Sequence, residues 1–186
     1  LDSVATSVPS IGGASALTAF VEGAMLGSFG FQWRSSGPEH TPVGRVVLAG
    51  LSETHDHAAA VERGLHLGGA GWRARMLATV PSNLKSPQWL AEQAERIAAE
   101  HGLGFECWDE TKLAQQGFGG VVGVGQGSAT PPRLIRLDYT PSGGRRAPRV
   151  VLVGKGITFD TGGISIKPAA GMTTMKRDMT GGAVVM

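Results

Sequence analysis

Between Val150 and Met186 the chain reads VVLVGKGITFDTGGISIKPAAGMTTMKRDMTGGAVVM. No other stretch constrains the fold as much. The run Val150 to Val153 is short and β-branched, which predicts a buried strand. A glycine-flanked lysine, Gly154-Lys155-Gly156, follows at once. A second strand-like run, Ile157 to Phe159, ends in Asp160 and the turn residues Thr161-Gly162-Gly163. Ile164-Ser165-Ile166 alternates like a third strand and delivers Lys167 just before Pro168, which stops the chain. Met172, Met175, Met179 and Ala183 then fall near helical spacing, with Asp178 just ahead of a helix start at Thr180 to Ala183. Lys155, Asp160, Lys167 and Asp178 thus sit on neighbouring strand or helix ends in apolar surroundings. Charges in such surroundings are costly unless paired or bound to metal. Two readings follow from spacing alone. One is a pair of Lys–Asp salt bridges on a sheet rim; the other is a divalent-cation site built on hard oxygen ligands.

The rest of the chain predicts scaffold. Residues 1 to 13 show no periodicity and read as a loose lead-in. Ala14 to Phe29 predicts a helix, with Leu17, Phe20, Val21, Ala24 and Leu26 near one face and Ser15 available as a cap. A turn-rich connection from Arg34 to Gly44, a strand at Arg45 to Ala49 and a helix from about Asp56 to Leu77 come next. His55-Asp56-His57 invites a metal reading, but adjacent helix positions point apart, so a solvated helix start is the plainer one. Ser86 followed by Pro87 predicts a helix start, with Leu90, Ala94, Ile97 and Ala98 buried and an end at Gly102. Strands at Leu103 to Trp108, Val121 to Val124 and Leu134 to Tyr139, and a short helix capped by Asp109, complete the pattern. Pro141 to Pro148 reads as a hairpin-like connection. Alternating strands and helices predict an α/β fold, a mixed or parallel sheet flanked by helices.

Composition sets limits on function. At 186 residues the chain can hold one sizeable domain, or one domain and part of another. A net charge of +2, with lysines and arginines scattered, gives no case for a nucleic-acid surface. The single cysteine, Cys107, excludes an internal disulfide, and Phe105-Glu106-Cys107-Trp108 reads as strand packing. No apolar run reaches membrane-spanning length and no basic-then-apolar leader is present, so the expected setting is cytoplasmic. Gly123-Val124-Gly125-Gln126-Gly127-Ser128 could cradle phosphate after a strand. Pro131-Pro132 and another strand follow where a dinucleotide fold needs a helix, so that motif is weak.

GKGITFDTGGISIKP followed by MKRDM closely resembles the signature of the leucyl aminopeptidase (cytosol aminopeptidase) family. The resemblance is tight from Arg149 onward and moderate around 75 to 87 and 117 to 139. It implies a metallopeptidase that removes N-terminal, leucine-like residues from peptides with two divalent ions, Mn2+ or Zn2+. Position by position, it makes Lys155 a metal ligand, Asp160 a carboxylate bridging both ions and Asp178 a further ligand. Lys167 becomes the catalytic lysine that holds the substrate carbonyl oxygen. The resemblance makes Lys155, Asp160, Lys167 and Met175 the substrate-binding positions and sets Met175 and Met172 beside the pocket for the first side chain, plain core methionines at helical spacing being the alternative. Lys155 would have to be neutral to donate a lone pair. Family members are usually homohexamers.

The resemblance also has gaps. Met76 stands where an aspartate is usual and Thr79 where an asparagine is, while Pro81-Ser82-Asn83 is retained. Thr161 and Thr180 replace a serine and a glycine, and Thr173 stands where an acidic or small residue is frequent. The family's remaining ligands come from an NTDAEGR-like motif, absent before the last residue, Met186. The expected layout is therefore residues 1–50 as the tail of an N-terminal domain with its linker, and residues 51–186 as the N-terminal half of the catalytic domain. Such a piece is expected to be inactive alone. The alternative is a non-catalytic relative acting as a structural or binding subunit.

Overall fold

The computed structural model describes residues 2–7, 12–31, 33, 35–38, 40–52, 54–143 and 148–186. Contacts divide the chain into two compact units, Leu1–Met76 and Leu77–Met186.

The first unit holds β1 (Ser3–Thr6), α1 (Gly13–Gly27), β2 (Arg45–Leu48) and most of α2 (His55–Thr79). The lead-in is not wholly loose. Ser3 to Thr6 pair in parallel with Arg45 to Leu48, and Ala49 N donates to Thr6 O at 2.8 Å to extend the ladder. A four-residue strand with no periodic signature becomes one only because a partner strand supplies its hydrogen bonds. The α1 helix buries Leu17 and Val21 as its spacing predicts. Its N-cap is Gly12, not Ser15, and no side chain caps it.

Leu17, Val21 and Ala60 form the core of this unit, with Phe20, Leu48, Leu51 and Val61 packed on it. One face of α2 is made of Gly64, Gly68 and Gly71, which lie beneath Val21, Met25 and Leu26 of α1. A Cβ at Gly64 would come within 2.7 Å of Val21 Cβ and 2.8 Å of Thr18 O, so the close helix approach needs glycine there. Arg75 Nη1 donates to Leu26 O at 2.7 Å, supplying a donor to the C-terminal end of α1, and its guanidinium lies 4.6 Å from the Phe29 ring centre.

The second unit continues through α3 (Pro87–His101), β3 (Gly104–Trp108), α4 (Glu110–Gln115), α5 (Gly119–Gly125), β4 (Leu134–Asp138), α6 (Ala169–Met172) and α7 (Thr180–Val185). Ser86 Oγ accepts from Trp89 N, Pro87 occupies the first helical turn and Gly102 ends α3 at φ 65°. The buried face is Leu90, Ala91, Ala94, Ile97 and Ala98. The β3 and β4 strands pair antiparallel from Gly104↔Asp138 to Trp108↔Leu134. Asp109 caps α4 by accepting from Lys112 N.

Four strand expectations fail, among them the run Ile157 to Phe159, which lies outside any strand. Val121 to Val124 lies in α5, where Val121 N and Val122 N both donate to Phe118 O and begin a helical turn. Val150 to Val153 is not in a strand and is 70% to 89% exposed. Ile164 and Ile166 are likewise exposed outside any strand. Apolar, β-branched residues make a strand only where a neighbouring backbone offers hydrogen bonds, and among the described residues the only ladders are β1–β2 and β3–β4. The helical spacing from Met172 to Ala183 is also broken, into α6, a 3-10 turn at Met175–Arg177 and α7. The Pro141 to Pro148 connection lies partly outside the described residues, since 144–147 are not among them.

Candidate metal centre

Backbone contact brings the four charged residues of the 150–186 stretch into two pairs. Gly182 N, in α7, donates to Lys155 O at 2.7 Å. A Cβ on Gly154 would come within 2.3 Å of Gly181 O, and one on Gly182 within 3.2 Å of Lys155 O. Glycines on both segments therefore let the Lys155 backbone lie directly on the start of α7. That contact sets Lys155 beside Asp178, which immediately precedes Met179 and the helix. Lys155 Nζ reaches Asp178 Oδ1 at 2.8 Å with hydrogen-bond geometry. Oδ2 lies 2.7 Å from the same nitrogen in ion-pair contact only, and is buried with no hydrogen-bond partner.

The second pair forms across a tight loop. Gly162 and Gly163 adopt φ 87° and 61°, and Lys167 N donates to Thr161 O at 2.8 Å to close the turn. A side chain at Gly162 would be strained by φ and would strike Ser165 O at 2.4 Å. Within the loop Asp160 Oδ1 accepts from Gly162 N at 2.8 Å, and Lys167 Nζ donates to Asp160 Oδ2. The Lys167 hydrogen bond, and after it the Gly162 N–H, hold the Asp160 carboxyl below the usual aspartate range; Lys155 adds a smaller through-space attraction.

Two Lys–Asp pairs form as the salt-bridge reading describes, but on loops and a helix start rather than a sheet rim, and by the same residues that the metal reading uses. Among the described residues, no group of three or more His, Cys, Asp or Glu side chains could hold a metal ion. The donors present nevertheless suit a hard divalent cation. Two carboxylates supply four oxygens, and Asp178 Oδ2 is a buried acceptor without a donor. Lys155 could join them only after losing the proton it now gives to Asp178. Met175, in the 3-10 turn, and Met172, at the end of α6, are each partly buried. A cavity of about 400 Å3 lies among Ser82, Asn83, Ser128, Thr130, Thr158 and Phe159, next in sequence to Asp160.

His55 and Asp56 are almost fully exposed, and His57 Nδ1 pairs with Ser52 O at 2.9 Å at the start of α2. The glycine-rich segment at 123–128 begins inside α5, whose last three residues are Gly123 to Gly125, and β4 rather than a helix follows it. Ser128 N donates to Gly125 O at 3.0 Å, so the segment closes on itself. Burial is the main cause that pushes the Cys107 thiol up, away from the thiolate a nucleophile needs.

Sequence reading missed Lys85. It is 1% exposed, and its Nζ donates to Leu77 O at 2.9 Å, Ala78 O at 3.2 Å and Lys176 O, with Met179 Sδ at 3.4 Å. Burial, with Lys176 adding to it, lowers its pKa to about 8. The one available signal was its place just past the C-terminal carbonyls of α2, which need donors.

Residues 72–186 match the cytosol aminopeptidase family, catalytic domain, and the chain belongs to that family. It is 43% identical over 173 residues to a protein of Leifsonia xyli subsp. xyli named "Probable cytosol aminopeptidase", covering 91% of this chain and 34% of that one. A protein of the same name from Solibacter usitatus is 44% identical over 174 residues, covering 94% and 36%. Among solved structures, "Bottromycin maturation enzyme BotP in complex with Mn" superposes with a TM-score of 0.76 at 34% identity, over 91% of this chain and 34% of that one. Cytosol aminopeptidase from Coxiella burnetii gives 0.71 at 28% identity, over 90% and 33%. The chain thus spans about a third of the length of the relatives it matches. The α/β class expected from the sequence is the class observed.

Proposed function

We propose that this chain supplies part of the active site of a metal-dependent aminopeptidase that removes leucine-like N-terminal residues from peptides. The observation that carries the reading is the Lys155–Asp178 contact beside the Lys167–Asp160 pair, within the segment that matches the family's catalytic domain. Lys155, Asp160 and Asp178 would be the residues that hold two divalent ions, Mn2+ or Zn2+. The chemistry supplied there by bound metal would be polarisation of the scissile carbonyl and a lowered pKa for an attacking water.

The chain's own residues have separable tasks. Asp160, already held as the anion by Lys167 and Gly162, is ready to ligate at neutral pH. Lys167 turns from Asp160 to the substrate carbonyl oxygen and keeps its proton as negative charge develops there. Met175 lies beside the pocket for the first side chain, where a flexible thioether accommodates varied apolar groups. Three ligand residues are too few to fill the shells of two ions, so these 186 residues alone are expected to be inactive. The same proposal takes residues 1–50 as the tail of an N-terminal domain and its linker, and 51–186 as the first half of the catalytic domain. It also includes a homohexamer in the cytoplasm. No described helix is long and apolar enough to cross a membrane.

The test is a pair of variants in the natural full-length protein. Asp160→Asn should abolish stoichiometric Mn2+ binding and hydrolysis together. Lys167→Met should retain bound Mn2+ while kcat falls about 100-fold or more, the scale of losing one group that stabilises an oxyanion. A non-catalytic binding subunit is the second reading. It is favoured by each carboxylate being engaged by a lysine, and it requires that neither variant change any metal-dependent property.

A further inference from the structure

Lys85 is a charged side chain in a place where charge is costly. It is 1% exposed, whereas the adjoining Leu84 is 50% exposed, so the local backbone turns the lysine inward and the leucine out. The Pro81-Ser82-Asn83 turn does this. Leu84 N and Lys85 N both donate to Pro81 O at 3.1 Å, and Ser86 then begins α3. Among the described residues, no carboxylate accepts from its ammonium. The acceptors are three backbone carbonyls, of Leu77 and Ala78 at the end of α2 and of Lys176, with Met179 Sδ at 3.4 Å. Three N–H donors thus meet three carbonyl acceptors.

Two of these partners flank Asp178. Lys176 lies two residues before it and Met179, fully buried, one residue after. A side chain that fixes the backbone on one side of Asp178 and the buried side chain on the other limits where the carboxylate can sit. We infer that Lys85 is a positioning residue for the metal centre: its ammonium ties the end of α2 to the Lys176–Met179 segment and so aims Asp178 at the ion. This rests on the metal-centre reading above. Groups that orient ligands without touching the ion affect metal affinity by about 10- to 100-fold.

Mn2+ affinity, melting temperature without metal and amide hydrogen exchange would be measured on the natural full-length protein. The variants are Lys85→Met, Lys85→Gln and, as a core control, Val80→Ala, a buried position whose side chain has no polar atom. Lys85→Met should weaken Mn2+ binding about tenfold or more, with Lys85→Gln between it and wild type because an amide retains two N–H donors. Exchange should accelerate at Asp178 and Ala183 and stay unchanged in β3. Val80→Ala should lower the melting temperature and leave Mn2+ affinity unchanged. The inference is overturned if folded Lys85→Met binds Mn2+ like wild type, or if Val80→Ala weakens binding as much at an equal loss of melting temperature. It is overturned too if neither Lys85 variant folds, since the lysine then supports the whole unit. Wild-type protein that binds no Mn2+ removes the metal-centre reading itself, an outcome seen before any variant is made.

Discussion

Lys85 and Asp178 show what single residues decide here. A lysine buried against carbonyls has its pKa lowered to about 8, so between about pH 8 and its ordinary value of 10.5 the unfolded chain binds more protons than the folded one. Stability that Lys85 burial withholds at lower pH should therefore be regained as pH rises through that window. Urea denaturation of wild type from pH 7.5 to 10.5 should show this rise, and Lys85→Met should lack it. Asp178 was legible in the sequence because its motif carried it. Lys85 was not, since nothing in Leu84-Lys85-Ser86 tells which side chain turns inward until the Pro81 turn is formed.

At the scale of elements, helix ends were the most readable feature. Ser86, Pro87, Gly102 and Asp109 act locally, and each stands where its side chain or φ preference demands. Ser86→Ala should cost about 1 kcal/mol in chemical denaturation, the usual loss for a serine cap. The failed strands have the opposite cause. Val150 to Val153 has the composition of a strand but no ladder partner among the described residues, and pairing is not a local property. Close approach is equally non-local. Gly154→Ala should push the Lys155 segment off α7, because its Cβ would meet Gly181 O at 2.3 Å. A loss of about 1–3 kcal/mol is expected, with weaker Mn2+ binding in the same protein. Gly64→Ala should destabilise the first unit by a similar amount through Val21 and Thr18, leaving Mn2+ affinity unaltered.

For the whole molecule, the family match and the 186 residues together define the central claim. The α/β class could be read from alternating element signals, and the charged quartet from its motif. Which lysine pairs with which aspartate could not, because that depends on the Gly181–Gly182 contact with the Lys155 backbone. The most direct test is calorimetric titration of Mn2+ into this chain and into the natural full-length protein, with hydrolysis of a leucine amide followed in parallel. The account predicts two ions per chain and hydrolysis for the full-length protein, and no hydrolysis by the 186 residues alone. A folded full-length protein that binds no divalent ion and cleaves nothing would contradict it, leaving the two Lys–Asp pairs as structural salt bridges.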